Sequence, residues 1–161
     1  MYIIKQKPED FVVNEIPVYK LDDKGRYSYF WLTKTNYNTV DAVKRIAEKL
    51  KIPIKTIGFA GAKDRVAITK QIISIKSAKK EIVESLNLKD MQLEFVGKGG
   101  SPISLGDLKG NEFKIKVRNL SANNLNQPNM IPNYFGPQRF SKNNAEIGKL
   151  IVKKSIPSVV G

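Results

Sequence analysis

The chain of 161 residues contains no cysteine and no histidine. Without cysteine it can form no disulfide, no thiolate nucleophile and no cysteine-ligated zinc site. Without histidine it has no serine–histidine triad, no imidazole acid–base catalyst and no imidazole ligand for a transition metal. Any catalysis by this chain must therefore rest on carboxylate, lysine, tyrosine or serine side chains.

Long apolar runs are also missing. No stretch approaches the roughly twenty apolar residues that a membrane-spanning helix needs, so we expect no membrane association. Residues 1–7 become charged too early for a secretory signal, which predicts an intracellular, cytoplasmic protein. With 41% apolar residues the composition is that of a globular protein, and we expect residues 1–161 to form one domain.

The charge of the chain is strongly positive. It has 28 Lys and Arg against 15 Asp and Glu, a formal net charge of +13, and the excess grows from +2 in residues 1–50 to +6 in residues 101–161. Such an excess attracts phosphate backbones. Charge alone leaves two interpretations open, a nucleic-acid-binding protein or an ordinary lysine-rich solvated surface.

Hydrophobic periodicity predicts an α+β chain of about six strands and three helices. Strand patterns cover residues 1–6, 11–16, 27–33, 57–60, 68–75, 91–96 and 113–117. One helix is predicted from Asn38 or Thr39 to a stop at Pro53, because apolar residues follow helical spacing there. A short helix is predicted from a cap at Ser77, and a last one from Asn143.

Residues 58–65 (GFAGAKDR) contain the most distinctive carboxylate, Asp64. An ionised carboxylate can act as a covalent nucleophile, and the adjacent cations Lys63 and Arg65 favour its ionised form. The spacing of this loop does not meet the phosphate-loop pattern. A turn aspartate that caps its own loop is the alternative, and the loop alone does not decide between the two.

Residues 133–140 (NYFGPQRF) form a second candidate site. The rings of Tyr134, Phe135 and Phe140 can stack on a displaced base, and Asn133 or Gln138 can read its edge. Arg139 can reach a phosphate or a carboxylate. Rings in such a segment, and Phe11 in residues 8–13, are also common in hydrophobic cores. Both interpretations stay open on these residues alone.

Four segments, in the same order along the chain, resemble the TruD family of tRNA pseudouridine synthases. They are residues 8–15 (PEDFVVNE), 59–71 (FAGAKDRVAITKQ), 105–113 (LGDLKGNEF) and 132–140 (PNYFGPQRF). The resemblance implies a mixed, largely antiparallel sheet with flanking helices. It also implies that a flipped-out tRNA uridine, at position 13 in the D arm, is isomerised to pseudouridine without a metal or any other cofactor.

The resemblance also implies roles for individual residues. Asp64 falls on the catalytic nucleophile, and Phe11 and Asn133 fall on residues that contact the uridine. Phe135 falls on the aromatic residue of the same motif, and Lys5 on a lysine near the site. As further cations in these segments, Lys63 and Arg139 are expected to bind the substrate.

The resemblance covers only the N-terminal part of the family's catalytic domain, and the family's inserted domain and C-terminal strands have no counterpart here. Three explanations remain open: a fragment of a longer protein, one subunit of a split enzyme with a complementing C-terminal chain, or a minimal domain that self-associates. The alternative function is a basic RNA-binding module that holds tRNA without modifying it.

Overall fold

The computed structural model describes residues 2–120 and 144–152. Within the first range lie six strands, β1 to β6, two α-helices and two 3-10 helices, and the second range is helix α3. Their bounds are β1 Phe11–Pro17, β2 Tyr27–Thr35, α1 Thr39–Leu50, β3 Ile57–Phe59, β4 Ile68–Lys76, α2 Lys80–Glu84, β5 Met91–Gly99, β6 Leu108–Ile115 and α3 Asn144–Val152, with 3-10 helices at Pro8–Asp10 and Ile54–Thr56.

The chain divides into two compact units, Met1–Ser121 and Ala122–Gly161. The first holds the whole sheet, and α3 is the described part of the second. Among the helices of the described ranges, none is both long and apolar enough to cross a lipid bilayer.

All six strands belong to one sheet in the order β5-β2-β4-β1-β6, with β3 also paired to β4. Strands β1 and β4 run parallel, and the remaining four pairings are antiparallel. The expected α+β class with a mixed, largely antiparallel sheet is therefore confirmed.

One face of the sheet is covered by α1 and α2. Alternate residues of the central strands, among them Phe30 and Ile73, are fully buried there with Val43 and Ile46 of α1. The Asn38 side chain caps α1 by accepting a hydrogen bond from the backbone N–H of Asp41 (2.8 Å), as expected for this residue type. The apolar spacing of α1 therefore follows from a helix that buries one stripe.

Two strands, β1 and β3, pair with different parts of the same edge of β4. Residues 68–70 pair with residues 12–14 of β1, whereas residues 73–75 pair with β3. Gln71 and Ile72 lie in the gap between these two pairings. The chain that leaves β3 after Phe59 therefore starts beside β1, and this fork brings the Asp64 loop to the residues around Phe11.

The sequence-based expectations for residues 1–6 and for helix α2 are wrong. Of the strand expected at residues 1–6, the described residues 2–6 form none, because Lys5 adopts a left-handed φ of 56° and only Ile3 makes an isolated bridge, to Arg118. Helix α2 is not capped by Ser77, whose φ is 55°, and it covers only Lys80–Glu84.

Strand β6 is also displaced from its expected position. The alternation of Phe113, Ile115 and Val117 predicted a strand at residues 113–117, but β6 starts at Leu108 and ends at Ile115. Its length is decided by pairing, because β6 runs antiparallel along the whole of β1. Phe113 and Ile115 lie on this outer strand of the described sheet and Val117 lies beyond its end, and all three side chains stay substantially exposed.

Candidate active site

Asp64 lies on the loop that joins β3 to β4. Its carboxylate is partly exposed, with 21% of the side chain accessible, and Oδ1 lies 3.4 Å from Nζ of Lys5. A reactive carboxylate must combine an ionised state with access to a ligand, and a partly exposed group beside an ammonium meets both conditions.

Lys5 connects Asp64 to an aromatic ring. Its Nζ lies 3.8 Å from the centroid of the Phe11 ring, a cation–π distance. Phe11 begins β1, is 8% exposed, and packs its ring edge-to-face against Phe113 with 5.9 Å between centroids. Three residues predicted from separate parts of the sequence, Lys5, Phe11 and Asp64, are thus gathered in one place.

The segment that carries Lys5 is tied to the chain just after β6. Ile3 and Arg118 exchange two backbone hydrogen bonds of 2.9 and 2.8 Å. The Arg118 guanidinium also donates two hydrogen bonds to the buried carboxylate of Asp10, from Nε to Oδ2 at 2.7 Å and from Nη2 to Oδ1 at 2.6 Å. These bonds lower the pKa of Asp10 below its ordinary 3.8. Because Lys5 lies between Ile3 and Asp10, this pairing helps hold its ammonium over Phe11.

The side chain of Lys63, the neighbour of Asp64, points into the protein interior. Its ammonium forms an ion pair with Glu15, and both side chains are buried. The other oxygen of Glu15 accepts a hydrogen bond of 3.1 Å from the backbone N–H of Ile72, which lies in the gap between β1 and β3. The ammonium of Lys63 is therefore engaged by a buried carboxylate rather than offered to a ligand, and its role in substrate binding stays a prediction.

Two polar side chains clamp the beginning of the same loop. Thr39, at the start of α1, accepts a hydrogen bond from the backbone N–H of Lys63 and donates one to Gln71, both 2.8 Å. Gln71 in turn donates to the backbone carbonyl of Gly61 at 3.1 Å. The loop is thus anchored to both α1 and β4, which restricts the positions that Asp64 can adopt.

Lys34, at the end of β2, is 1% exposed. Its Nζ donates to the backbone carbonyls of Tyr37 at 2.5 Å and Asp64 at 3.1 Å. Burial lowers the pKa of Lys34 to about 8, the charge of Asp64 opposes this shift, and the charge of Lys63 adds to it.

Sequence reasoning missed Lys34 and Glu15, although the strand pattern contained a signal for both. Lys34 is in phase with the inward residues Phe30 and Leu32, and Glu15 continues the inward series that begins at Phe11. A charged residue that falls on the apolar phase of a strand either breaks the pattern or is buried with a partner. Lys34 and Glu15 are both buried with a partner.

The second predicted segment, residues 133–140, lies outside the described residues. The roles of Asn133, Phe135 and Arg139 therefore stay predictions. Within the two described ranges, no three carboxylates come close enough together to hold a metal ion. The chemistry available at the described site is that of a carboxylate, an ammonium and an aromatic ring.

Comparison with solved structures bears on the fold. A crystal structure described as a tRNA pseudouridine synthase D (TruD) from Methanosarcina mazei matches with a TM-score of 0.71 and 37% sequence identity, over 73% of this chain and 27% of that one. The described fold is therefore similar to that of part of this pseudouridine synthase structure.

Comparison of sequences identifies the family to which the chain belongs. The model of the tRNA pseudouridine synthase D (TruD) family matches residues 2–161, and the chain belongs to that family. A relative from Thermococcus onnurineus is 44% identical over 163 residues, which cover 93% of this chain and 39% of the relative. One from Aquifex aeolicus is 39% identical over 149 residues, covering 85% and 39%. The chain thus spans about two fifths of the length of these curated relatives.

Proposed function

We propose that this chain supplies the nucleophile and part of the uridine pocket of a tRNA pseudouridine synthase. The observation that carries the proposal is the grouping of Asp64, Lys5 and Phe11, with the carboxylate 3.4 Å from an ammonium that lies 3.8 Å over the ring. Family membership supports the reaction class. The relatives matched here are described as tRNA pseudouridine synthase D, which supports tRNA as the substrate.

The proposed reaction uses Asp64 at the ribose. Its carboxylate attacks C1′ while the N1–C1′ bond breaks, and the uracil departs with the bonding electron pair. The uracil turns, C5 attacks C1′, and the carboxylate leaves with the electrons of the ester bond. The proton on C5 is then lost and N1 takes one up, so the product is an isomer of the substrate and no redox partner is consumed.

Lys5 and Phe11 have complementary parts in this scheme. The ammonium of Lys5 stabilises the ionised form of Asp64 before attack. A paired base is out of reach, so the uridine must leave its stack at a cost of a few kcal/mol. The Phe11 ring offsets part of this cost by contact with the extruded base, and the base displaces the Lys5 ammonium from the ring to make that contact.

The charge of the chain serves tRNA binding in this proposal. A net charge of +13 attracts the tRNA backbone. On the family motif we assign contact with the uridine to Asn133 and substrate binding to Phe135, Lys63 and Arg139, with uridine 13 of the D arm as the target. A cytoplasmic location belongs to the same proposal.

Release of tritium from tRNA labelled at C5 of uridine tests the proposal. We expect release by the wild-type chain and none by Asp64→Asn, which keeps the shape of the side chain but cannot act as a nucleophile. Asp23→Asn, in an exposed turn, is the matched control and should retain full release. The reaction should be run alone and with the C-terminal part of the Thermococcus onnurineus relative, because the chain spans 39% of that relative.

The same assay separates the alternative function. A basic RNA-binding module would retain salt-dependent tRNA binding but release no tritium under either condition. Release that appears only with the added C-terminal part would support a split or divided enzyme. Mass measurement by size-exclusion chromatography would show self-association directly.

A further inference from the structure

Lys34 occupies an unusual place for a lysine. It ends the inward-facing series of β2, follows Phe30 and Leu32 in phase, and is 1% exposed. Its neighbours across the sheet are Thr69 of β4 and Met91 of β5, neither of which carries a charge. Burial of an ammonium is costly unless strong acceptors form hydrogen bonds with it, so the contacts of Lys34 must compensate for its burial.

Two backbone carbonyls accept hydrogen bonds from this ammonium. Tyr37 O lies just before α1 and Asp64 O lies in the β3–β4 loop, so the ammonium joins two separate segments at 2.5 and 3.1 Å. Bonds from a charged donor are roughly twice as strong as those between neutral groups. The other loop anchors act at Gly61 and Lys63, whereas Lys34 acts on the backbone of the reactive residue itself.

We propose that Lys34 is a positioning residue for Asp64: its buried ammonium holds the Asp64 carbonyl and thereby orients the carboxylate toward Lys5 and the ribose. The inference rests on the proposed function only for the role of the carboxylate. The contact between Lys34 and the loop can be tested in the protein without substrate.

Electrostatics adds a second link between the two residues. The charges that act on Lys34 are those of Asp64, which raises its pKa, and of Lys63, which lowers it, and burial brings the pKa to about 8. If Lys34 and Asp64 are coupled, removal of the Asp64 charge must lower the pKa of Lys34 further. A lysine buried far from Asp64 would not respond.

The first experiment measures loop order by amide hydrogen exchange. In Lys34→Met, which preserves length but donates nothing, we expect exchange of the amides in residues 62–66 to be at least about tenfold faster, with α1 and β5 unchanged, which corresponds to about 1.4 kcal/mol. Lys34→Arg retains the charge and the donors and should restore protection in part. Lys24→Met, in an exposed turn, is the control and should change nothing.

Unchanged exchange in residues 62–66 of Lys34→Met would overturn the proposal. Faster exchange spread evenly over the sheet would also overturn it, because that is the signature of a residue that only stabilises the fold. Should Lys34→Met not fold, the wild type and Asp64→Asn carry the test: the pKa of Lys34, followed by NMR of its Cε, must be lower in Asp64→Asn. An equal pKa in the two proteins contradicts the coupling.

The last measurement is the rate of tritium release. Because Lys34 orients the nucleophile and does not touch the tRNA, Lys34→Met should lower kcat at least about tenfold with little change in KM. A change confined to KM would overturn the positioning role. If the wild type releases no tritium while exchange and titration behave as expected, the proposed function fails and the link between Lys34 and the loop stands.

Discussion

The buried pair of Lys63 and Glu15 gives the sharpest stability prediction. Both side chains are buried, and Glu15 also accepts the Ile72 N–H between β1 and β3, so the carboxylate has no access to water if Lys63 is removed. Breaking such a pair from one side costs about 3–5 kcal/mol, a large part of the roughly 5–15 kcal/mol that stabilises a domain. For a chain of this length, we expect Lys63→Met to lower the Tm by about 6–20 °C.

The double variant isolates the charge interaction from packing. Glu15→Gln retains an oxygen for the Ile72 N–H, so the pair Glu15→Gln and Lys63→Met removes both charges while that hydrogen bond remains. We expect the double variant to be at least about 2 kcal/mol more stable than the sum of the single losses implies. Urea unfolding followed by circular dichroism measures all four proteins.

An exposed pair provides the control. Lys70 and Glu94 lie 3.3 Å apart on the solvated side of the sheet, and Lys70→Met should cost about 1 kcal/mol or less. The reasoning is refuted if Lys63→Met costs no more than this control, or if the losses at Glu15 and Lys63 simply add. Either result would mean that water reaches the pair and that the pair does not anchor the Asp64 loop.

Two further predictions concern the segment around Lys5. Lys5→Met should leave stability within about 1 kcal/mol, because the pair with Asp64 is partly exposed, yet it should lower tritium release; unchanged release would exclude Lys5 from the site. Arg118→Gln should destabilise the protein at neutral pH. The pKa of Asp10 is lowered in the folded protein, so the stability that Arg118 contributes is complete above pH 3.8 and is lost as the pH falls through the folded pKa. Unfolding free energies of the two proteins should therefore converge in acid, and a constant difference down to the lowest pH would contradict the assignment.

Local sequence patterns were sufficient for much of the fold. The capping residue Asn38 and the apolar spacing after it specify α1, and strand patterns identify β2 and β4 within two residues and β5 within three. The four motif segments were sufficient to indicate the family. The family resemblance also pointed to Lys5, Phe11 and Asp64, which the structure brings together, although no sequence pattern alone requires them to meet.

Errors arose where a distant partner decides the local state. Residues 1–6 have strand-like residues, but Lys5 takes a left-handed conformation while the segment is held by Arg118. Alternation placed β6 at residues 113–117, whereas β1 determines its extent by pairing from Phe11 to Pro17. Propensity is a weak guide when a single partner strand supplies most of the hydrogen bonds.

By itself, the sequence determined helix α1 and the positions of β2, β4 and β5, the family to which the chain belongs and the aspartate that is the candidate nucleophile, because short-range spacing carries these properties. Only the tertiary structure decided that Lys63 turns inward to Glu15, 48 residues away, and that Lys34 reaches the backbone of Asp64, 30 residues away. Whether a charged side chain is buried depends on acceptors brought from distant parts of the chain, and adjacent residues do not reveal them.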